Sequence, residues 1–485
     1  MATLNMQVRG TNKTYNRSGH AAYRLDAKTR LVTMALATML GEPKYYGDTT
    51  SELIVLAREL CRCGEGRFVA QLAVWARRYA NLRSVSHALL AVVIHECSGC
   101  AFVRRAVRAV ASMRGDDGTE ILAAHMALYG RQVRWPHALQ RGVRDALEQM
   151  SAYELAKYQS PCREVKLRDT LRITHPVPRD AEAAQAMRAC VEGTLAKPKG
   201  WETELSARGN TAEVWNELIA EHRLGYMASL RNLRNMMQAG AECESVLSML
   251  SDPKAVRASR QLPFRFFSAW RELKQAGLLT TSVSRALDQA LEVSCQNVGR
   301  LAGRTAVLID TSASMGSTLS MRSRITCRDV AAVLGAIVTR VSDDAWVCAF
   351  DSTARQLAFG GASVLADIQA VPASGWCTHM DIAFDLLMSS GFDADRVVVV
   401  SDYEVNGYRG GGSSQTIQHK LEAYRKKVGH DVWCHAIDLQ GYGTQQFIGR
   451  HVNVMAGWSD QMLRFVRLAE EGFGGIVEAI EALEL

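Results

Sequence analysis

The feature that most constrains the fold is a change, near residue 300, in the spacing at which apolar residues recur along the chain. Before it, apolar residues recur at three- and four-residue spacing, which is the pattern of amphipathic helices. After it, short continuous apolar runs alternate with helical stretches. Because 485 residues exceed the length of an ordinary single core, we predict a multidomain chain with a helical domain over 1–300 and an α/β domain over 301–485.

The first part of the chain reads as one helix after another, separated by short breaks that contain Gly or Asp. Consecutive helices of this length are typical of solenoids such as HEAT-type repeats, although no exact sequence repeat is present. We therefore predict an all-α, HEAT-like helical-repeat domain. The best-marked helices are 29–40, 50–61, 68–79, 86–96, 102–113 and 121–129.

The last part of the chain contains apolar runs rich in β-forming residues. Helical patterns lie between these runs, which predicts a parallel sheet covered on both faces, the doubly wound or Rossmann-like α/β class. In such sheets, ligands bind at the carboxyl ends of the strands. The predicted strands are 304–310, 345–350, 396–401 and 432–439, and the helices between them are 327–340, 380–388 and 417–428.

Oxygen-bearing side chains occur where these strands end. Residues 310–314 read DTSAS, a DxSxS motif, directly after the first predicted strand. Thr378 precedes a helix, and Asp402 follows the strand over 396–401. Carboxylate and hydroxyl oxygens are the ligands that Mg²⁺ takes in proteins. The sequence therefore predicts a divalent-metal site, with Mg²⁺ as the cofactor, at Asp310, Ser312, Ser314, Thr378 and Asp402.

Two other interpretations of this motif remain open. Short Asp/Ser patterns also occur as helix caps without any metal. A hydrolytic metal centre is the second alternative, but no His or Glu stands at the spacing of a general base, and neutral hydroxyl ligands activate water poorly. His379 adjoins Thr378, and at a helix start we expect it to point outward. We expect the protein not to be an enzyme.

The distribution of charged residues divides the chain at the same place as the change in apolar spacing. The net charge of +7 combines a balance of +13 over residues 1–303 with −6 over the remainder. A strongly basic domain suits a polyanion, although solvated helix faces alone would give a similar excess. The stretch 157–175 adds planar groups to its cations, and unpaired RNA needs both. The candidate RNA-binding residues are Lys157, Tyr158, Arg163, Lys166, Arg168, Arg172 and His175, with Arg141 and Arg144 in a second run.

Two of these assignments have structural alternatives. An isolated His175 before Pro176 would more often cap a helix than bind RNA. The run that contains Arg141 and Arg144 is equally well explained as a solvated helix face.

The sequence carries no signal for a membrane or for export. Its apolar runs are far shorter than the ~18–20 residues that cross a bilayer, and the first seventeen residues are polar. We expect a cytoplasmic protein without a membrane partner, whose twelve cysteines are thiols. A structural zinc site at Cys61, Cys63, Cys97 and Cys100 is the alternative.

The order of several stretches resembles the Ro autoantigen family, in a bacterial or phage form. Its members join a helical portion called the TROVE module to a von Willebrand factor A-like domain, and the motif at 310–314 with Thr378 and Asp402 resembles the metal-ion-dependent adhesion site of such domains. The stretches that carry the resemblance are 19–26 (GHAAYRLD), 29–31 (TRL), 44–47 (KYYG), 155–158 (LAKY), 166–176 (KLRDTLRITHP), 230–233 (LRNL), 262–265 (LPFR), 313–315 (ASM) and 424–427 (YRKK).

The resemblance implies a helical ring whose ends are bridged by the A-type domain, in a monomer. It implies binding of small Y-type RNA on the outer basic surface and of misfolded RNA, by its single-stranded 3′ end, in the central hole. His175 matches a family position implicated in RNA contact. An exoribonuclease, polynucleotide phosphorylase, is an implied partner.

The same resemblance assigns roles within the metal site. Ser312, Ser314 and Thr378 would contact the metal directly or nearly so, while Asp310 and Asp402 would act partly through water. One coordination position stays open for an acidic side chain of a partner. The alternative function is therefore a protein-adhesion scaffold, in which the A-type domain docks an acidic partner through its metal.

Overall fold

The computed structural model describes residues 13–37, 49–159, 164–198, 200–319, 324–373, 375–406, 417–457, 462–472 and 475–485, without the side chains of 49, 50 and 464. Arg163 and residues 44–47 lie outside these ranges. The described residues form two compact units. The helical unit comprises the described residues of 49–203 and 476–485, and the mixed unit comprises those of 13–37 and 204–475.

The helices are named in chain order. They are α1 (Ala27–Ala37), α2 (Thr49–Leu60), α3 (Gly66–Arg78), α4 (Ser84–Glu96), α5 (Ala101–Ala111), α6 (Asp117–Tyr129), α7 (His137–Leu147), α8 (Ala152–Tyr158), α9 (Leu167–Thr174), α10 (Ala181–Glu192), α11 (Trp201–Arg208), α12 (Ala212–Ala220), α13 (Tyr226–Gln238), α14 (Glu244–Ser251), α15 (Pro253–Ser259), α16 (Pro263–Gln275), α17 (Thr281–Ser294), α18 (Cys327–Val341), α19 (Val364–Ala370), α20 (Met380–Ser390), α21 (Gln418–Val428), α22 (Met462–Glu470) and α23 (Ile476–Glu481).

The strands are named in the same way. They are β1 (Lys13–Tyr15), β2 (Ala21–Arg24), β3 (Leu301–Asp310), β4 (Ser342–Phe350), β5 (Ala354–Leu357), β6 (Arg396–Ser401), β7 (Trp433–Asp438), β8 (Thr444–Gln445) and β9 (Val452–Ala456).

The helical unit is built from amphipathic helices that bury one face each. In α5, Val103, Val107 and Val110 are fully buried at three- and four-residue spacing. This face packs against α7, where Gly142 permits a close approach: a Cβ at that position would lie 2.8 Å from the carbonyl oxygen of Arg104. The predicted helices up to residue 129 are all present, except that residues 38–40 lie outside the described ranges.

A buried carboxylate ties three of these helices together. Asp117, at the start of α6, is inaccessible to solvent and accepts hydrogen bonds from Arg77 of α3 at 2.9 Å and from Arg83 at 3.2 Å, while His87 of α4 lies 3.2 Å away. Burial would raise the pKa of Asp117, but the hydrogen bonds from His87 and Arg77 lower it overall. The ionised carboxylate therefore links α3, α4 and α6, and the loss of one of its partners would leave a buried charge uncompensated.

The mixed unit centres on a six-stranded sheet in the order β5-β4-β3-β6-β7-β9. Neighbouring strands are parallel, except that β5 is antiparallel to β4. Alternate residues of β3 face opposite sides: Leu308 joins the core formed with α20 and α21, whereas Ile309 lies against Gly335 of α18. Both faces are covered, so the predicted doubly wound architecture of this sheet is present.

The division into compact units differs from the change of element type. Helices α12–α17 belong to the mixed unit together with the sheet, although the strand pattern begins only at Leu301. Residue 300 therefore marks the change from helices to alternating strands and helices. The predicted division into two domains at this residue stays a prediction. None of the helices in the described ranges is both long enough and apolar enough to span a membrane.

A buried ion pair closes the end of the sheet where β6 begins. Arg396 donates to the two carboxylate oxygens of Glu470, on α22, at 2.5 and 2.8 Å, and His435 of β7 lies 2.9 Å from the same carboxylate. Burial would raise the pKa of Glu470, but the hydrogen bonds from His435 and Arg396 lower it overall. The Arg396 side chain is 5% exposed, so a lost partner would leave an uncompensated charge inside the protein.

We predict that Glu470→Ala lowers the free energy of unfolding by about 3–5 kcal/mol, because the Arg396 guanidinium would lose its counter-charge in a buried place. The neighbouring Glu471→Ala is the matched control. Glu471 is 48% exposed and lies 3.7 Å from Arg467, so its loss should cost less than about 1 kcal/mol. Urea unfolding of both variants measures the difference, and equal effects would contradict this role for Glu470.

Candidate functional site

The order of strands in the sheet reverses between β3 and β6. From β3 the chain first builds β4 and β5 on one side, and later β6, β7 and β9 on the other. Asp310 is the last residue of β3, and Asp402 directly follows β6. A doubly wound sheet has its ligand-binding crevice at this switch point, beyond the carboxyl ends of the strands. The fold therefore places both predicted metal-binding carboxylates in the expected crevice.

The DTSAS loop is folded around the carboxylate of Asp310. The backbone N–H of Ser312 donates to Asp310 Oδ1 at 2.8 Å, and Ser401 Oγ donates to Oδ2 at 2.5 Å. A short 3₁₀ turn over Ala313–Gly316 brings the Ser312 and Ser314 hydroxyl oxygens within 3.3 Å of each other. The structure thus brings these hydroxyl and carboxylate oxygens together in a buried loop.

Asp402 lies beside this loop and is also buried. Its Oδ1 accepts from the backbone N–H of Glu404 at 3.2 Å. Its Oδ2 has no hydrogen-bond partner among the described residues. A buried oxygen without a donor is costly, and a cation would satisfy it.

Burial makes the ionised form of both carboxylates unfavourable. Burial, and then the charge of Asp402, raise the pKa of Asp310 to about 7. Burial likewise raises the pKa of Asp402. Within the described parts of the chain, neither carboxylate forms an ion pair with a Lys, Arg or His side chain. The crevice therefore has negative charge that these side chains do not balance.

Thr378 lies on a third loop at the same edge of the sheet. Its backbone N–H donates to Asn406 Oδ1 at 2.6 Å, and its carbonyl accepts from the N–H of Asn406 at 3.1 Å. Earlier in this loop, Gly375 N–H donates to the carbonyl of Thr311 at 2.8 Å. These bonds hold the buried Thr378 between the DTSAS loop and the loop after Asp402.

The donor set fits a hard divalent cation. Two carboxylates and three hydroxyls from three loops offer the oxygen ligands that Mg²⁺ prefers. No three His, Cys, Asp or Glu side chains converge on a possible metal position in the described ranges, so a cation here would depend on the hydroxyl oxygens. His379 precedes α20 and is half-buried, with Nδ1 removed from solvent, rather than pointing outward as expected.

The sequence interpretation missed several residues of this site. Ser401 bonds Asp310, Asn406 fixes Thr378, and Asp351 accepts from the Thr311 hydroxyl at 3.1 Å. Asp351 directly follows β4, so its place after a predicted strand was a usable signal. Asn406 has no comparable signal, because its contact with Thr378 spans 28 positions of the chain.

A basic surface forms on the helical unit around α9. Arg168 and Arg172 are exposed and one turn apart, while Leu167 and Leu171 are buried on the opposite face. Arg168 Nε lies 3.6 Å from Asp169, and Arg172 Nη2 donates to the Val191 carbonyl at 3.1 Å. Neither arginine is held by a short, buried carboxylate, so both guanidinium groups can reach an external anion.

Aromatic rings accompany the cation at the end of α8. The Lys157 ammonium lies 5.8 Å from the Tyr153 ring centre and 5.9 Å from that of Tyr158. Arg114 stands 5.3 Å from the Tyr158 ring. Tyr153 is 57% exposed, so its ring is available for stacking. Tyr153 and Arg114 extend the predicted set. Tyr153 stands one helical turn before Lys157, and this spacing was a usable signal in the sequence.

The remaining predicted residues lie on the same unit. His175 ends α9 with the left-handed backbone φ 47°, ψ 60°, and its side chain is exposed, so it caps the helix and still faces solvent. Lys166 is the N-cap of α9. Arg141 is exposed on α7, which packs against α9, and Arg144 lies 3.9 Å from Glu148.

Comparison with known proteins agrees with this combination of features. Residues 182–312 match the TROVE domain. Telomerase protein component 1 of Rattus norvegicus is 40% identical over 131 residues, which are 25% of this chain and 5% of that protein. Its counterpart in Mus musculus is 47% identical over 88 residues, 18% of this chain and 3% of that protein. The chain thus spans only a small part of these relatives.

A solved structure extends the likeness to nearly the whole chain. The crystal structure of the Ro (RSR) protein of Deinococcus radiodurans superposes with a TM-score of 0.63 at 20% identity, covering 91% of this chain and 99% of that one. At this identity the match establishes a shared fold. The fold and site define a protein that joins many helices to a doubly wound sheet with an oxygen-lined crevice. Residues 182–312 thus match a TROVE domain, and nearly the whole chain shares the fold of a Ro protein, in agreement with the resemblance found in the sequence.

We predict a characteristic pH dependence for the metal-free protein. With EDTA present, stability should fall as pH rises from about 4 to about 7, because folded Asp310 keeps a proton that unfolded Asp310, with an ordinary pKa of 3.8, has lost. Asp310→Asn should make this fall shallower, because it removes the contribution of Asp310 and leaves that of Asp402, whose pKa is also raised by burial. Urea unfolding at several pH values measures the difference. An Asp310→Asn variant with an unchanged pH profile would contradict the assignment.

Proposed function

We propose that the protein binds RNA, without cleaving it, through the basic surface of its helical unit. The observation that carries this proposal is the exposed pair Arg168 and Arg172 on α9, with Lys157 and its tyrosine neighbours on α8, in a chain whose residues 182–312 match the TROVE domain. The Ro/TROVE family, which this chain resembles, is associated with RNA binding.

The chemistry of the surface suits unpaired and structured RNA. Guanidinium groups bind phosphate oxygens in a two-pronged geometry, and their charge makes binding sensitive to salt. The exposed ring of Tyr153 offers a stacking face for a base, and every base can use such a face. The proposed contact is therefore tolerant of sequence and depends on phosphates and unstacked bases.

We propose as ligands the RNA classes that the family resemblance implies. These are small structured Y-type RNA on the outer basic surface and the single-stranded 3′ ends of misfolded RNA in a central opening of a helical ring. In this role the protein would act as a monomer in the cytoplasm, in RNA quality control and ribonucleoprotein assembly. It would present RNA to an exoribonuclease such as polynucleotide phosphorylase.

We further propose that the doubly wound part is a von Willebrand factor A-like domain with a metal-ion-dependent adhesion site. Its strand order and its crevice of carboxylates and hydroxyls support this assignment. Asp310, Ser312, Ser314, Thr378 and Asp402 would hold Mg²⁺, which when bound supplies positive charge for an acidic side chain of a protein partner. The unpartnered Asp402 Oδ2 favours this second, compatible function.

The RNA proposal predicts that removing the two α9 arginines lowers both the affinity for RNA and the dependence of that affinity on salt concentration. In Arg168→Gln/Arg172→Gln, affinity for an RNA hairpin with a single-stranded 3′ tail should fall about tenfold or more, a cost of about 1.4 kcal/mol, and the salt slope should become shallower by about one to two. Fluorescence anisotropy at several salt concentrations measures both. Arg105→Gln/Arg108→Gln, exposed on α5 of the same unit, is the matched control.

Three results would contradict these proposals. Absence of RNA binding by the native protein at low salt would remove the first function. Equal affinity of the α9 and α5 variants would place the RNA elsewhere. Cleavage of labelled RNA in the presence of Mg²⁺, lost in Ser312→Ala, would show that the protein is an enzyme.

The metal proposal is tested separately by calorimetry. Titration of Mg²⁺ into the EDTA-treated protein should give binding that is lost in Asp310→Ala, while RNA binding is retained because the basic surface around α9 includes no residue of the metal site. The exposed Asp343→Ala, remote from the DTSAS motif along β3 and β4, serves as the control. Mg²⁺ binding that survives Asp310→Ala would place the metal elsewhere.

A further inference from the structure

A groove lined by arginines lies between α13 and α16 of the mixed unit. It has a volume of about 250 Å³. Arg231 and Arg234 of α13 and Arg265 of α16 line it, together with the apolar side chains of Leu230 and Leu273. We call it the arginine groove. It is separate from the metal crevice, and none of its residues belongs to the basic surface around α9.

The groove is a product of helix packing rather than of loose surface charge. Arg231 and Arg234 are three positions apart, so they project from one side of α13. Leu230 and Leu273 are buried and form its floor. Arg234 donates to Glu272 of α16 at 2.8 Å, and this bond fixes one wall of the groove.

The other two arginines are left available. Arg231 and Arg265 are exposed, and their guanidinium groups form no ion pair or hydrogen bond with any residue that the structure describes. Glu272 offsets only one of the three positive charges. The groove therefore keeps an excess of positive charge beside an apolar floor, which is an arrangement suited to an anion that carries a flat apolar group.

We infer that the arginine groove binds one nucleotide of an unpaired RNA strand. Guanidinium groups hold phosphate oxygens and stack on bases, and the leucine floor accepts the face of a base. Ligand pockets usually measure about 300–1,000 Å³, so a groove just below that range suits a single nucleotide better than a larger cofactor. The groove also lies inside residues 182–312, which match the TROVE domain, whereas residues 157–175 lie outside that match.

This inference rests on the proposed RNA binding and adds a second contact region to it, on the other compact unit. An acidic peptide would meet the same charges but has no base to place against the leucine floor. A free mononucleotide shares the chemistry of an RNA nucleotide, so the experiment must separate these two sources.

The test uses the full chain and a short fluorescent oligouridylate, followed by anisotropy at several salt concentrations. Arg231→Gln/Arg265→Gln should weaken binding about tenfold and make the salt slope shallower by about one to two. Arg257→Gln/Arg285→Gln, which removes two exposed arginines of the same unit outside the groove, should bind like the native protein. Matching thermal melts verify that both variants are folded.

A second variant tests whether the space inside the arginine groove contributes to binding independently of its positive charges. Ala269 lines the groove, and Ala269→Phe fills it without altering any charge. This variant should weaken oligouridylate binding while leaving the salt slope unchanged, because the phosphate contacts remain and the place of the base is occupied. Native-like affinity of Ala269→Phe would overturn the role of the leucine floor.

The outcomes distinguish this inference from the function it rests on. If the native protein binds no oligouridylate, both are wrong. If it binds, and Arg231→Gln/Arg265→Gln behaves like the control pair, the inference alone is wrong. Uridine monophosphate should compete only weakly; tighter binding of the mononucleotide than of the oligouridylate would overturn the assignment to RNA. Displacement by an acidic peptide but not by the mononucleotide would assign the groove to protein.

Discussion

The arrangement on which the rest of the candidate metal site depends is the pairing of two buried carboxylates at the switch point of the sheet. The parallel register of β3 and β6 pairs Ile309 with Val400, so Asp310 comes beside Ser401 and next to Asp402. Folding thereby removes both carboxylates from water, and the described side chains supply no counter-charge. Serine and threonine hydroxyls gather around the same point, so the fold itself creates a place for a cation.

The sequence predicted those parts of the structure that depend on local pattern. Continuous apolar runs such as 396–401 marked the central strands, and the residues after them marked the crevice. The strand β9 escaped prediction because it is short and carries the polar Asn453, whose amide lies 3.1 Å from His435 Nδ1. The β1–β2 hairpin, which pairs with β8, also escaped, because strands this short have no periodicity of their own. Contacts between distant segments, such as Asn406 with Thr378, leave no trace in local spacing.

Charge counting has a related limit, since it does not show which cations are already neutralised. Arg104 of the helical unit makes two short bonds to Asp145, and Arg131 lies 2.8 Å from Glu164. These residues add to the basic excess of the first part of the chain but have partners of their own. Arg168 and Arg231 differ because no short carboxylate contact holds them. The positive charge available to RNA is therefore concentrated in fewer places than composition suggests.

The start of the chain supports the loop that follows Asp402, so the predicted domains are interwoven within the mixed unit. Asn16 Nδ2 donates to the Val405 carbonyl at 2.9 Å, and the N–H of Ser18 donates to Glu404 Oε2 at 2.9 Å. The residues joined by these two bonds are 389 and 386 positions apart in the sequence. The position of the Asp402 loop is therefore set by residues before 24 as well as by β6. A domain boundary drawn at 300 separates in sequence what the fold holds together, since the crevice takes its oxygens from the last part of the chain and some of its support from the first.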